Sequence, residues 1–224
     1  MARNVERDEK EALKRKKRIL RAGFRLIAKK GIEAVSIQEI ADEAEVGVAT
    51  MYKYYQNKLN LVVNISAFVW QDFIQACEKE VSQKDREKLN AYELIAYYAD
   101  MMIQLYTRQP EVLRFSGDFK TYINRENVPE QVVRVHLDPL AMLRDLFHVQ
   151  YEAARENGCI RTDIPEDVLY TTATITMLSM AERYAQGIVW ADNERKNHVQ
   201  ELQVLKEMLL DWVTKKDGAG AQAH

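Results

Sequence analysis

Cysteine is nearly absent from this chain. Its two cysteines, Cys77 and Cys159, match no metal-ligand spacing, which favours buried or idle thiols over a disulfide or a redox switch. No apolar run approaches the length that spans a membrane, and the N-terminus is charged rather than signal-like. A cytoplasmic protein is therefore expected. No Pro- or Gly-rich linker interrupts the chain, so its parts are expected to be rigidly coupled. Strand-type alternation and fixed-period repeats are missing too. There is no phosphate loop, nucleophile elbow or HExxH pattern. The histidines His136, His148, His198 and His224 form no cluster with Asp or Cys at ligand spacing. His148 and Glu152, four apart on a helix, could share a metal ion, but such a pair is far commoner as exposed polar residues. Neither an enzyme nor a resident metal or cofactor is expected.

What is present is an ordinary globular composition, 47% hydrophobic, in a chain long enough for one large or two small domains. The near-neutral charge hides an asymmetry. Residues 1–60 carry 14 Lys/Arg and 9 Asp/Glu, and residues 61–224 carry 18 and 25. A basic head on an acidic body suits a head that meets a polyanion. A solvated basic helix would give the same count, so charge alone does not decide.

The stretch from Ser36 to Lys58 decides it. Ile37, Ile40, Ala41 and Ala44 have the spacing of a helix with one buried face. Ser36 with Glu39 is a capping box that marks its start. Gly47 is expected to take a backbone conformation closed to other residues. The run Val48 to Tyr55 then places Met51 and Tyr55 on one side, and Val48, Ala49, Tyr52 and Lys53 on the other. Two short helices, a tight turn and an exposed second face read as a helix-turn-helix.

Residues 19–61 resemble the DNA-binding domain of the TetR family of bacterial transcriptional regulators. The features are Gly31 after the first helix, Ser36 at the next helix start, Ile40-Ala41, Thr50-Met51-Tyr52, Tyr55 and Lys58. The chain departs from the usual Ala-Gly-Val-Ser turn, reading Ala44-Glu45-Val46-Gly47, and Ala49 replaces a usual Gly. The resemblance implies base contacts by Gln38, Val48, Ala49, Tyr52 and Lys53. Gln pairs well with adenine and Lys with guanine, while Val48 and Ala49 can meet only thymine methyls. Phosphate contacts are expected from Ser36, Thr50, Tyr54 and Lys58. Tyr55 is assigned to packing, and Tyr52 is not.

The rest reads as helices. Residues 1 to about 12 lack an apolar face and are expected to fray. Asn57 can cap a helix from Lys58 toward Val81. Asn90 with Glu93 is a second capping box, and Pro110 and Pro129 each open a helix. Pro139 predicts a kink or break. Asn157-Gly158 closes that helix, and Pro165 precedes another, running to about Trp190. A last helix starts near Asn193 and ends near Val213. His198, Leu202, Leu205, Leu209 and Trp212 form a seam along it, and 171–181 is rich in small and hydroxyl residues. Intrachain packing would also explain the seam; the resemblance points to a two-fold dimer.

The expected fold is therefore all-α. A three-helix helix-turn-helix domain (1–57) precedes a helical effector-binding and dimerisation domain (58–214) and a disordered tail (215–224). The expected function is a homodimeric repressor of a near-palindromic DNA operator, released by a small apolar effector. Tyr98, Met101, Phe115, Phe119, Leu143, Phe147 and Thr172 are the expected pocket lining, with His136 or Thr176 as polar contact. A helical small-molecule-binding protein with no DNA role is the alternative.

Overall fold

A computed structural model describes residues 2–80, 85, 87–187 and 197–214, without the side chains of 2–6, 78, 80, 130 and 135–143. The described residues form nine α-helices and no strand. They are α1 (Ala2–Lys30), α2 (Ile37–Glu43), α3 (Val48–Tyr55), α4 (Lys58–Glu80), α5 (Ala91–Arg108), α6 (Pro110–Arg125), α7 (Glu130–Asn157), α8 (Glu166–Ala185) and α9 (Val199–Thr214). The helices group into two compact units, Met1–Phe73 with Arg114–Pro139, and Ile74–Leu113 with Leu140–His224.

In the first unit α1 packs on α2, and α2 on α3. Ile19, Ala22 and Ile27 of α1 are buried, as are Ile40, Ala41, Met51, Tyr55, Leu61 and Ile65. Gly23 lets the backbones approach: a Cβ there would lie 2.5 Å from Cδ1 of Ile65 and 3.6 Å from Cδ1 of Ile40. Phe24 meets Phe115 edge-on at 5.6 Å, and Phe115 stacks on Phe119 at 6.1 Å. Arg125 of α6 pairs with Glu33. At the head of α4, the side chain of Asn57 accepts from the Asn60 N–H at 2.8 Å, which is the expected cap.

In the second unit α5, α8 and α9 pack on one another. Leu94, Ile95 and Leu105 of α5, Leu169, Ala173, Met177 and Ala181 of α8, and Leu202, Leu209 and Val213 of α9 are all buried. The Asn90–Glu93 capping box starts α5. Lys206 reaches Asp100 at 2.6 Å. Arg161 forks onto Asp163 at 2.9 and 2.6 Å, donates its backbone N–H to Val213 at 2.7 Å, and lies over Trp212. Cys77 and Cys159 are not joined in a disulfide, and Cys77 is buried.

Three expectations are corrected. The charged N-terminus is helical from Ala2 onward; it holds no Gly or Pro to stop a helix, and a Lys14–Glu11 pair at 3.0 Å braces it one turn apart. Pro139, where a kink or break is expected, does not break α7, which runs unbroken from Glu130 to Asn157; losing one backbone donor need not end a helix. The last helix begins at Val199, whose N–H is capped by the Asn197 side chain at 3.1 Å. The expected helical residues 188–190 and 193–196, and the tail 215–224, lie outside the described residues.

Candidate nucleic-acid interface

The interface candidate is built from two caps and a turn. Ser36 accepts from the Glu39 N–H at 3.1 Å, while Glu39 accepts from the Ser36 N–H at 2.8 Å and hydroxyl at 2.9 Å. Lys30, at the end of α1, donates to the same Glu39 at 2.8 Å. Lys30 first, then the Ser36 donors, hold the Glu39 carboxyl at about 2. A carboxyl lowered on folding stabilises the fold above its ordinary value of 4.5, and that contribution is lost as pH falls toward 2. The cap is thus fully charged at neutral pH, and it ties α2 to α1.

The turn closes α2 by a pair of backbone bonds. Val46 N–H reaches the Ala41 carbonyl at 3.0 Å, and Glu45 N–H reaches Asp42 at 3.1 Å. This is a Schellman closure, whose second-to-last residue must be left-handed. Glu45 fills that place at φ 52, and Arg18 donates to its carbonyl at 3.2 Å. Gly47 instead has φ −69 and ψ 144, an ordinary extended conformation at the N-cap of α3. The expected roles of the two residues are therefore exchanged: Glu45 bears the unusual backbone, and Gly47 needs no special freedom.

The turn fixes which way α3 faces. Met51 and Tyr55 are buried; inserting each apolar side chain is worth about 1.5–3 kcal/mol. Ala49, Tyr52 and Lys53 point the other way and are exposed, Tyr52 by 51%. Ser36 and Gln38 are exposed as well, and Gln38 donates to Asp42 at 2.7 Å. Val48, Thr50, Tyr54 and Lys58 are half-buried. Lys16 sits 5.3 Å above the Tyr54 ring, bringing a cation of α1 beside α3. Lys58 donates to the Glu33 carbonyl at 3.2 Å, so this cation also fastens the start of α4. All nine candidate DNA-contact residues lie within one compact unit.

The other expected sites fare differently. Phe115 and Phe119 belong to the first unit, while Tyr98, Met101, Phe147, Thr172 and Thr176 belong to the second. Tyr98, Met101 and Phe147 are buried, Thr172 is exposed and Thr176 half-buried. The side chains of His136 and Leu143 lie outside the described residues. Tyr170, absent from the expected set, joins the group: its ring lies 5.1 Å from Phe147 and 6.2 Å from Tyr98. Burial pushes its phenol to about 12. Its place four residues after Glu166 on α8, next to threonines, gave no apolar stripe to find it by.

In the expected dimer seam, His198, Leu202 and Leu209 are buried within the chain itself, and Leu205 and Trp212 are half-buried. His198 stacks on Tyr184 at 4.3 Å, and its backbone N–H donates to the Tyr106 hydroxyl at 3.2 Å. Three of the five residues thus pack inside the chain's own bundle. Exposed large apolar side chains on these two helices include Val168 and Ile175 of α8 and Val204 and Met208 of α9, and Val149 of α7 is exposed as well.

The described residues are all-α, with a helix-turn-helix in the first unit and a helical bundle in the second. Residues 19–65 match the family model for bacterial regulatory proteins of the tetR family. The repressor KstR of Rhodococcus jostii is 35% identical over 81 residues, 36% of this chain and 37% of its own length. The chain thus spans little more than a third of that curated relative. A proposed TetR-family transcriptional regulator from Rhodococcus sp. superposes with a TM-score of 0.68 at 15% identity, over 90% of this chain and all of its own. The regulator FadR of Bacillus subtilis, solved with stearoyl-CoA, gives 0.65 at 16%, over 88% and 98%. The tetR-family match thus covers the helix-turn-helix segment, and the solved structures share the fold of nearly the whole chain.

The strain at residue 45 is testable. Glu45→Gly should stabilise the protein by about 0.5–1 kcal/mol, since a left-handed L-residue costs roughly 1–2 kcal/mol and glycine returns part as chain entropy. Gly47→Ser, into open space, should add a few tenths more through a capping hydroxyl. Urea unfolding measures both. A destabilised Glu45→Gly variant would mean that the turn does not carry this strain.

Proposed function

We propose that this chain is a ligand-responsive, DNA-binding transcriptional regulator, acting in the cytoplasm as a homodimeric repressor. Residues 1–57 serve as the DNA-binding part and 58–214 as the effector-binding and dimerisation part. The observation that carries the reading is the sorting of α3, with Met51 and Tyr55 inward and Ala49, Tyr52 and Lys53 outward. A helix so oriented can enter the major groove with three adjacent side chains toward base edges. Gln38 and Val48 complete the proposed reading set, and Ser36, Thr50, Tyr54 and Lys58 are the proposed phosphate contacts.

Two-fold assembly would place two such helices on a near-palindromic operator. Val168, Thr171, Thr172, Ile175 and Ser179 are exposed and fall on one face of α8, beside Val204 and Met208 on α9. Small and apolar side chains on adjacent helices suit a four-helix contact between two copies. Effector release needs a ligand that prefers the DNA-incompetent state, with a coupling of about 1–3 kcal/mol. The aromatic group of Tyr98, Phe147 and Tyr170, with Met101, supports an apolar, aromatic or lipid-like effector.

Three measurements test this reading. Duplexes selected from a random pool should bind in a salt-sensitive manner. Tyr52→Ala should cost about 1–3 kcal/mol on the selected site and narrow its margin over random DNA; Lys58→Ala should weaken all duplexes alike and lower the salt slope by about one. Wild-type affinity in both variants, or no duplex preference in the parent, would favour the alternative of a ligand-binding protein without a DNA role. In sedimentation, Ile175→Glu with Met208→Glu should give folded monomers with weakened operator binding, because apolar contacts do not tolerate unpaired carboxylates; a persistent dimer would move the interface elsewhere. A panel of acyl, steroid and aromatic ligands should include one that raises the melting temperature and weakens operator binding together. A panel in which none does either would refute the apolar effector.

A further inference from the structure

Away from the helix-turn-helix, α7 and α8 bring three metal-ligating side chains together. His148 and Glu152 stand one turn apart on α7 and are exposed; Glu166, the first residue of α8, is half-buried. One nitrogen of His148 and one oxygen of each carboxylate lie within 4.8 Å of one another. Nδ1 of His148 already touches Oε2 of Glu166 at 2.7 Å. Around a small divalent ion, with bonds of about 2.0–2.2 Å, tetrahedral ligand atoms stand roughly 3.4 Å apart. The three groups thus need only rotamer adjustments of about an ångström to share one ion.

The frame behind Glu166 is held firmly. Tyr151, on α7, donates its hydroxyl to the Ile164 carbonyl at 2.6 Å, two residues before Glu166. Arg161 fixes the same connection through Asp163 and the Val213 carbonyl. The charge around the cluster also favours a cation. His148 and Glu166 line a surface cleft of about 380 Å³ with Arg144, Asp145 and Asp167. With Glu152 this makes four carboxylates against Arg144 and Arg155, the latter 3.4 Å from Glu152. A proton shared by His148 and Glu166 is what an ion would displace.

We propose that His148, Glu152 and Glu166 form a divalent transition-metal site that clips α7 to α8, with water filling its open positions. One imidazole and two carboxylates suit Zn²⁺, and Co²⁺ as its spectroscopic substitute, over Mg²⁺ or Ca²⁺, which take oxygen ligands alone. This inference does not rest on the DNA-binding reading.

The full chain, freed of metal with EDTA, would be titrated with ZnCl₂ by calorimetry and with CoCl₂ by visible absorption. The expected result is one high-affinity equivalent per chain, with d–d bands of four- or five-coordinate Co²⁺ and a raised melting temperature. His148→Ala and Glu166→Gln should each weaken Zn²⁺ binding at least roughly tenfold; both are surface changes whose folding is checked by circular dichroism. His224→Ala should bind as the parent does. Absence of binding at millimolar Zn²⁺, or binding that survives His148→Ala and Glu166→Gln undiminished, would overturn the site and leave a plain His–Glu ion pair.

Discussion

Everything the first unit presents outward depends on one left-handed residue. Glu45 at φ 52 lets Val46 and Glu45 close back on Ala41 and Asp42. That closure turns the chain sharply enough for Met51 and Tyr55 to enter the core made by α1, α2 and α4. Once those two are inside, helical geometry leaves 49, 52 and 53 outside. The Ser36–Glu39 box and Lys30 fix the other end of α2, so α2 is held at both termini by named bonds. The exposed face of α3 is thus a by-product of two caps and two buried side chains.

Local chemistry was legible in the sequence, and long-range placement was not. Ser36–Glu39 and Asn90–Glu93 announce their helix starts because both partners lie within one turn. Pro110, Asn57 and Gly158 mark ends for the same reason. Residue 45 was misread because glycine is the usual left-handed residue and stands two places later at 47; only the closed turn reveals which residue takes φ above zero. The stripe His198–Leu202–Leu205–Leu209–Trp212 has a clear period, but periodicity shows that a face is buried without saying against what. Composition and periodicity group Phe115 and Phe119 with Tyr98 and Phe147, whereas in the fold Phe115 meets Phe24 and stacks on Phe119.

The second unit illustrates the same limit. His148 and Glu152 are visible as a pair on a helix, yet Glu166 joins them only because Tyr151 and Arg161 fold the intervening connection back. Tyr170 becomes central in a similar way, through Phe147 on α7 and Tyr98 on α5. Both clusters combine residues from helices whose pairing no spacing rule predicts.

The central claim is that the outward face of α3 is where this protein meets DNA. Hydrogen exchange of the full chain, with and without a duplex selected from a random pool, tests it directly. Slowed exchange concentrated in residues 36–58, absent with a shuffled duplex at the same salt, is the predicted result. Protection by the selected duplex that spares 36–58 and falls on α5, α8 or α9 would contradict the account.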